Sequence, residues 1–311
     1  MLVGTILAGA VGFGAADIQA QQQQAPPTFR TGVSRVAVNA TVRDKKGRPV
    51  ANLTVKDFEL VDTGMSREIA EFRSETTAVS LAMLVDDSGS MHVGLKRQAA
   101  GAMADHLIQN LTPGVDEIAL FAFHQFLEEL QPLTPAPGLV HDKLLKLQSY
   151  GKTKLYDAIA EAGKLLAAQG GPRRALVVLT DGADNASHLT PGEVSGLASS
   201  IDVPVYVIVV ASPLDESSKE TPRGKELAAM IEGRLGDLAR WTGGDIFAST
   251  TPASNSIAAR QIIEELRHQY LITFEPSRTP GWHPIDLRAR DKGLVVRARS
   301  GYIIQSSPDR P

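Results

Sequence analysis

The feature that leaves this chain least freedom is a short apolar run that ends abruptly on an acid. Leu81-Ala-Met-Leu-Val85 stops at Asp86, and Asp87-Ser88-Gly89-Ser90 follows before helical spacing sets in. A continuous apolar run bounded by turn chemistry reads as a strand buried on both faces, as in a parallel sheet. Arg174 to Thr180 repeats the pattern and ends on Asp181-Gly182, and Val203 to Val210 is another such run. Apolar residues at helical spacing mark Leu95 to Leu111, Leu139 to Leu147, Leu155 to Gln169, Val194 to Ser200, Glu226 to Thr242 and Ser256 to His268. Asp116 to Phe123 adds a strand, Phe126 to Leu133 an edge strand and Asp245 to Ala248 a last short one, while Ser212 to Gly224 reads as an irregular loop. Strands alternating with helices predict an α/β fold with a doubly wound, mainly parallel, Rossmann-like sheet.

In such sheets ligands bind at the carboxyl ends of the strands, which is where Asp86 and Asp181 fall. Asp86, Ser88 and Ser90 offer hard oxygens in one tight loop. That is a poor catalytic triad but a good partial shell for Mg²⁺. Thr153, in Gly151-Lys152-Thr153, adds a hydroxyl just before a helix. Asp86, Ser88, Ser90, Thr153 and Asp181 thus come from three loops that one sheet edge can gather. Taken alone, Asp-x-Ser-x-Ser is equally a helix N-cap or an Asx turn.

With these residues in this order, the chain resembles a von Willebrand factor type A (VWA) domain carrying a metal-ion-dependent adhesion site. The resemblance implies that Ser88, Ser90 and in some states Thr153 bind the ion directly, with Asp86 and Asp181 acting partly through water. It implies Mg²⁺, with Mn²⁺ or Ca²⁺ as alternatives, and a coordination position left for an Asp or Glu carboxylate of a protein partner. Asp157 is expected to fix the Thr153 loop or to form a surface ion pair. Asp184, Asn185 and Ser187 order the Asp181 loop or form a generic turn, and Asp87 is a solvent-facing or supporting acid.

Outside residues 79–268 the pattern changes. Val36, Val38, Ala40 and Val42 alternate with polar or small residues as in a half-buried strand, and Glu68 to Phe72, Tyr270 to Phe274, Pro284 to Arg290 and Leu294 to Ile304 read as further strands. Asp44, Gly47, Val50, Leu53, Thr54, Asp57 and Phe58, with Gln269-Tyr270-Leu271-Ile272 and Arg297 to Tyr302, resemble the flanks of bacterial VWFA-related proteins. That resemblance implies a second, smaller β-sandwich domain made from the N- and C-terminal segments 31–75 and 269–304, with the VWA domain inserted between them. Residues 1–20 resemble a secretory signal peptide cleaved near Ala20, an uncleaved membrane anchor being the competing reading. Residues 21–30 read as a linker and 305–311 as a tail. The expectation is a secreted or periplasmic, cell-envelope protein.

Composition narrows the function classes. A hydrophobic content of 43% supports a real core, and a net charge of -3 offers no case for nucleic acid or an anionic membrane. There is no cysteine, which removes disulfides, thiolate zinc sites and cysteine nucleophiles. For a metal-dependent hydrolase His92 and His124 are the candidate bases, but no hydrolase motif accompanies them. Gly151-Lys152-Thr153 lacks the earlier glycine of a phosphate loop, Lys146 standing in its place. The expected function is non-catalytic, metal-dependent protein binding in adhesion or assembly, against a scaffold whose ion only steadies its loops.

Overall fold

The computed structural model describes residues 35–74, 76–169, 173–200, 202–212 and 222–304. The expected signal segment 1–20, the linker 21–30, the tail 305–311 and most of the loop after Ser212 lie outside them. Four strands come first: β1 (Val36–Arg43), β2 (Phe58–Asp62), β3 (Met65–Arg67) and β4 (Glu71–Ser74). The wound segment follows as β5 (Ser80–Asp86), α1 (Lys96–Gln109), β6 (Glu117–Phe123), β7 (Leu127–Thr134), α2 (Gly138–Leu144), α3 (Leu155–Gln169) and β8 (Arg174–Thr180). It continues through α4 (Pro191–Ser200), β9 (Val205–Val210), α5 (Pro222–Glu232), α6 (Arg234–Trp241), β10 (Ile246–Ser249) and α7 (Pro252–Arg267). The chain then closes with β11 (Tyr270–Phe274), β12 (Gly281–Ala289), β13 (Val295–Ala298) and β14 (Gly301–Ile304).

The central sheet has the order β10-β9-β8-β5-β6-β7, parallel except for β7, which is antiparallel to β6. Period-two alternation explains its two cores. Leu81, Met83 and Val85 of β5 pack with Val177 and Leu179 beneath α1 and α7. Ala82 and Leu84 face the other way, with Val178 and Val207, against α3, α4 and α6. Every residue of β5 is buried, so its apolar run needs no polar face. The chain builds outward from β5 to β6 and β7, then returns to lay β8 on the other side of β5. The direction of winding therefore reverses between β5 and β8, which puts the crevice of an open α/β sheet at Asp86 and Asp181.

The flanking strands form two four-stranded antiparallel sheets, β13-β1-β11-β4 and β14-β12-β2-β3. They share a core of Val38, Val42, Leu60, Ile272, Phe274 and Leu287, among others. Phe58, Phe72 and Tyr270 stack within it at centroid separations of 5.2 to 5.6 Å. The Tyr270 hydroxyl donates to Val50 O (2.6 Å) and accepts from Leu53 N (3.1 Å), fastening the segment that precedes β2. Strands β4 and β11, from which the wound segment leaves and to which it returns, are paired with Ser74 opposite Tyr270.

Charged residues join the sandwich to the wound sheet. Arg43 of β1, with a side chain only 8% exposed, pairs with Glu265 of α7 and with Asp245 (3.3 Å). Arg297 of β13 also pairs with Asp245, and the Tyr206 hydroxyl donates to Glu265 Oε2 (3.2 Å). Farther along, Asn39 donates to Asp202 Oδ2 (2.6 Å), and Arg299 reaches Ser199 O (2.8 Å) as well as Asp202. Burial lowers the pKa of Arg43 and pushes Tyr206 up to about 12, as expected for ionisable groups taken out of water.

Several element boundaries differ from the sequence reading. The helix expected over Glu226 to Thr242 is broken into α5 and α6 at Gly233, whose φ of -92° and ψ of -161° are extended. A Cβ at that position would lie 2.6 Å from Ala229 O, so the break needs glycine. Leu294 to Ile304 is two strands in different sheets, because Ser300 N turns to donate to Trp241 O (2.7 Å). The strand expected over Glu68 to Phe72 starts only at Glu71, as β4, with residues 68–70 outside any strand. Helix α7 begins at Pro252, earlier than expected, because Thr251 caps it by accepting from Ser254 N (3.1 Å) and proline suits the first turn. Helix α4 similarly starts at Pro191, and α2 spans Gly138–Leu144. No helix among the described residues is long and apolar enough to cross a membrane.

Removing one partner of a buried ion pair leaves its mate unpaired. Glu265→Ala should therefore lower unfolding stability by about 3–5 kcal/mol, read as a fall in urea midpoint at unchanged slope. A loss below about 1 kcal/mol would mean that this contact does not hold the two parts together.

Candidate metal centre at the sheet rim

Asp86 ends β5 and is 1% exposed. Its Oδ1 accepts from Ser88 N (3.0 Å), the local turn expected of an acid two residues ahead of a serine. Its Oδ2 accepts from the Thr180 hydroxyl of β8 (2.6 Å). The Ser88 and Ser90 hydroxyls lie 3.1 Å apart. Asp181, 4% exposed, accepts from Ala183 N (3.1 Å) and from the Lys96 ammonium (2.7 Å). The structure therefore joins Asp86, Ser88 and Ser90 by hydrogen bonds and sets Asp181 beside them across the β5–β8 crevice, close enough for the two acids to act on each other.

Thr153 is buried at 1% exposure on the loop between these two. Gly89 N donates to Gly151 O (3.1 Å), tying that loop to the Asp86 turn. Thr153 N donates to Asn185 Oδ1 (3.0 Å) and Thr153 O accepts from Asn185 N and Ala186 N (both 3.1 Å), tying it to the Asp181 turn. Among the described residues no hydrogen bond links the Thr153 hydroxyl to the other four side chains.

The supporting acids are more committed than the sequence could decide. Asp157 accepts from His188 N and Leu189 N (both 2.9 Å), closing the loop after Asp181 onto α3. Asp184 accepts from Leu155 N (3.0 Å), and Ser187 Oγ accepts from Tyr156 N (3.0 Å) while donating to Asp184 (2.6 Å). Asp87 is not solvent-facing: at 6% exposure it accepts from Ser149 N (2.6 Å) and Ser149 Oγ (2.9 Å). His92 is exposed and His124 half-buried, and among the described residues neither makes a hydrogen bond to the cluster.

Two contributors went unseen in the sequence, Thr180 and Lys96. The period of β8 carried a signal for Thr180, a hydroxyl on the last residue of an otherwise apolar strand. Lys96 carried none, because a lysine at the start of an amphipathic helix is ordinarily solvated.

Burial holds the Asp86 carboxyl up at about 6, against the bonds from Ser88 and Thr180, and the nearby Asp181 charge adds to the rise. Burial also works to raise Asp181, but the Lys96 ammonium, Ala183 N–H and Ser90 hydroxyl outweigh it and leave that carboxyl below the usual range. The donors gathered here are hard oxygens, two of them neutral hydroxyls, the set that suits Mg²⁺, Mn²⁺ or Ca²⁺. An ammonium already stands where positive charge is wanted, so the residues fit a cation. Among the described residues no three His, Cys, Asp or Glu side chains could hold a metal together, as expected where hydroxyls do much of the ligation.

A wound, mainly parallel sheet with an oxygen-lined crevice at its switch point defines the class of the site. Residues 81–183 match the von Willebrand factor type A domain model. No curated protein matches the chain. Similar solved structures include an aerotolerance-related membrane protein from Bacteroides fragilis, 22% identical, covering 61% of this chain and 98% of its own, with a TM-score of 0.44. A von Willebrand factor type A protein from Catenulispora acidiphila is 15% identical, covering 78% of this chain and 73% of its own, with a TM-score of 0.46. Proximal thread matrix protein 1 from the mussel byssus, with a zinc occupied MIDAS motif, is 14% identical over 61% of this chain and 48% of its own, with a TM-score of 0.44.

Because Asp86 binds its proton more tightly in the folded protein (about 6) than a solvated aspartate does, its contribution to stability falls as pH rises through that window. In metal-free protein, the stability difference between wild type and Asp86→Asn should shift by about 2 kcal/mol in favour of the variant between pH 4 and pH 7. Urea unfolding at the two pH values measures it. A difference that does not change would show that Asp86 ionises without penalty.

Proposed function

We propose that this chain is an exported, divalent-metal-dependent protein-binding module for adhesion or assembly, whose rim takes an Asp or Glu carboxylate from a protein partner. The observation that carries the reading is the cluster of Asp86, Ser88, Ser90 and Asp181 at the switch point, gathered around positive charge. A bound Mg²⁺, or Mn²⁺ or Ca²⁺ by the same oxygen chemistry, supplies a Lewis-acid coordination point for an outside carboxylate. Ser88 and Ser90 would hold it through neutral hydroxyls, which leave its charge largely unspent, with Thr153 as a further hydroxyl. Asp86 and Asp181 would supply negative charge partly through water. Thr180 keeps Asp86 oriented, and Asn185 keeps the Thr153 loop in place.

The surroundings suit docking better than chemistry. Phe126 and Tyr150 are 69% and 57% exposed, and the His124 ring lies 4.7 Å from that of Tyr150. A cleft of about 500 Å³ opens beside the cluster, lined by Asp87, His124, Glu128, Glu129, Lys146 and Tyr150. Exposed aromatic rings around one charged anchor are the usual make-up of a binding patch. Among the described residues neither His92 nor His124 makes a hydrogen bond to the cluster.

The test is a pull-down from the organism's envelope and extracellular fractions, with wild type and Asp181→Ala, in Mg²⁺ and in chelator. Capture should require both Mg²⁺ and Asp181. In parallel, Mg²⁺ at a hundred times its dissociation constant should stabilise wild type by about 2.7 kcal/mol and the variant far less. Metal binding with capture that ignores chelator would instead make the ion a structural staple. Absence of any divalent-ion binding in calorimetry would end the proposal.

A further inference from the structure

Lys96 is out of place by ordinary rules. It is the first residue of α1, where the helix macrodipole is positive and a cation is disfavoured. The chain reaches it through two consecutive left-handed residues, Gly94 (φ 65°) and Leu95 (φ 63°). Leucine avoids that conformation unless its surroundings impose it. Ser212, just beyond β9, donates to Gly94 O (2.5 Å) and fastens the turn. The outcome is an ammonium 2.7 Å from Asp181 Oδ2, with a side chain 14% exposed against 4% for its partner. Asp181 is also one of the acids of the proposed cation shell, so the ammonium and any bound cation compete for one group.

We infer that Lys96 is a built-in counter-cation of the rim: its ammonium holds Asp181 in the metal-free protein and must leave before a divalent ion can use that carboxylate. The inference rests on the metal-binding reading above and deepens it, by naming the residue that sets affinity and charge selectivity. A monovalent ion brings no more charge than the ammonium it would displace, whereas a divalent ion brings twice as much to the same oxygens. Lys96 thereby keeps Asp86 and Asp181 from facing each other unneutralised, and sets a threshold below which the site stays closed to metal. It acts through Asp181 and is a positioning residue, not a ligand.

Calorimetric titration of the full chain with MgCl₂ and with MnCl₂ tests this, using wild type, Lys96→Met, Lys96→Gln and Lys96→Arg. A charge-assisted hydrogen bond no longer competes in the Met and Gln variants, so each should bind the ions about ten- to hundred-fold more tightly than wild type. The Arg variant, which keeps the charge, should stay close to wild type. Metal-free melting temperature supplies a readout independent of the ion: it should fall in the Met and Gln variants and recover on adding Mg²⁺. Met and Gln variants that bind no tighter than wild type, or an Arg variant that gains as much as they do, would overturn the role of Lys96 while leaving the metal site standing. Failure of every form, wild type included, to bind either ion would remove the metal reading and this inference with it.

Discussion

Two carboxylates at the ends of adjacent parallel strands repel each other, and everything at this rim is arranged around that repulsion. Asp86 and Asp181 cannot move apart, because β5 and β8 are held in register by a parallel ladder. Water cannot screen them, because both are nearly sealed from solvent. The remaining remedies are hydrogen-bond donors and positive charge, and the structure uses both. Thr180, Ser88 and Ala183 donate, while Lys96 brings the charge. The two acids divide the benefit unevenly. Asp181 receives the ammonium and is held ionised, whereas Asp86 has hydroxyl and amide donors alone and its carboxyl is pushed up.

The loops around the cluster are fixed with the same economy. Each bond that orders one loop comes from a neighbour that also faces the rim: Gly89 to Gly151, Thr153 to Asn185, Asp87 to Ser149. A side chain presented here is therefore held by backbone bonds to other loops, not by packing alone. That is the condition under which a binding constellation keeps its geometry before its ligand arrives.

Much of this could be read from the residue order, and the reason is physical. A strand buried on both faces has no alternative but an apolar run, so Leu81–Val85 and Ala175–Leu179 declare themselves. The first acid after such a run falls at or just past the strand's end, which located Asp86 and Asp181 together. What escaped notice depends on contacts between distant segments. Lys96 looks like any solvated helix lysine until the turn at Gly94 and Leu95 is seen. Gly233 looks tolerable inside a helix until the approach of Ala229 O is known. The partners of Arg43 and Arg297 come from α7 and from the loop before β10, and no local pattern in β1 or β13 announces them.

The pairing of β4 with β11 at Ser74 and Tyr270 has a mechanical consequence. The wound segment hangs from the sandwich by two legs that emerge side by side from one end of one sheet. Tension applied at the rim would run down both legs lengthwise. β11 is bonded to β1 along one edge and to β4 along the other. Because β4 and β11 are pulled the same way, the load would fall on the row of hydrogen bonds between β11 and β1, whose members bear it together in shear where peeling would break them one at a time.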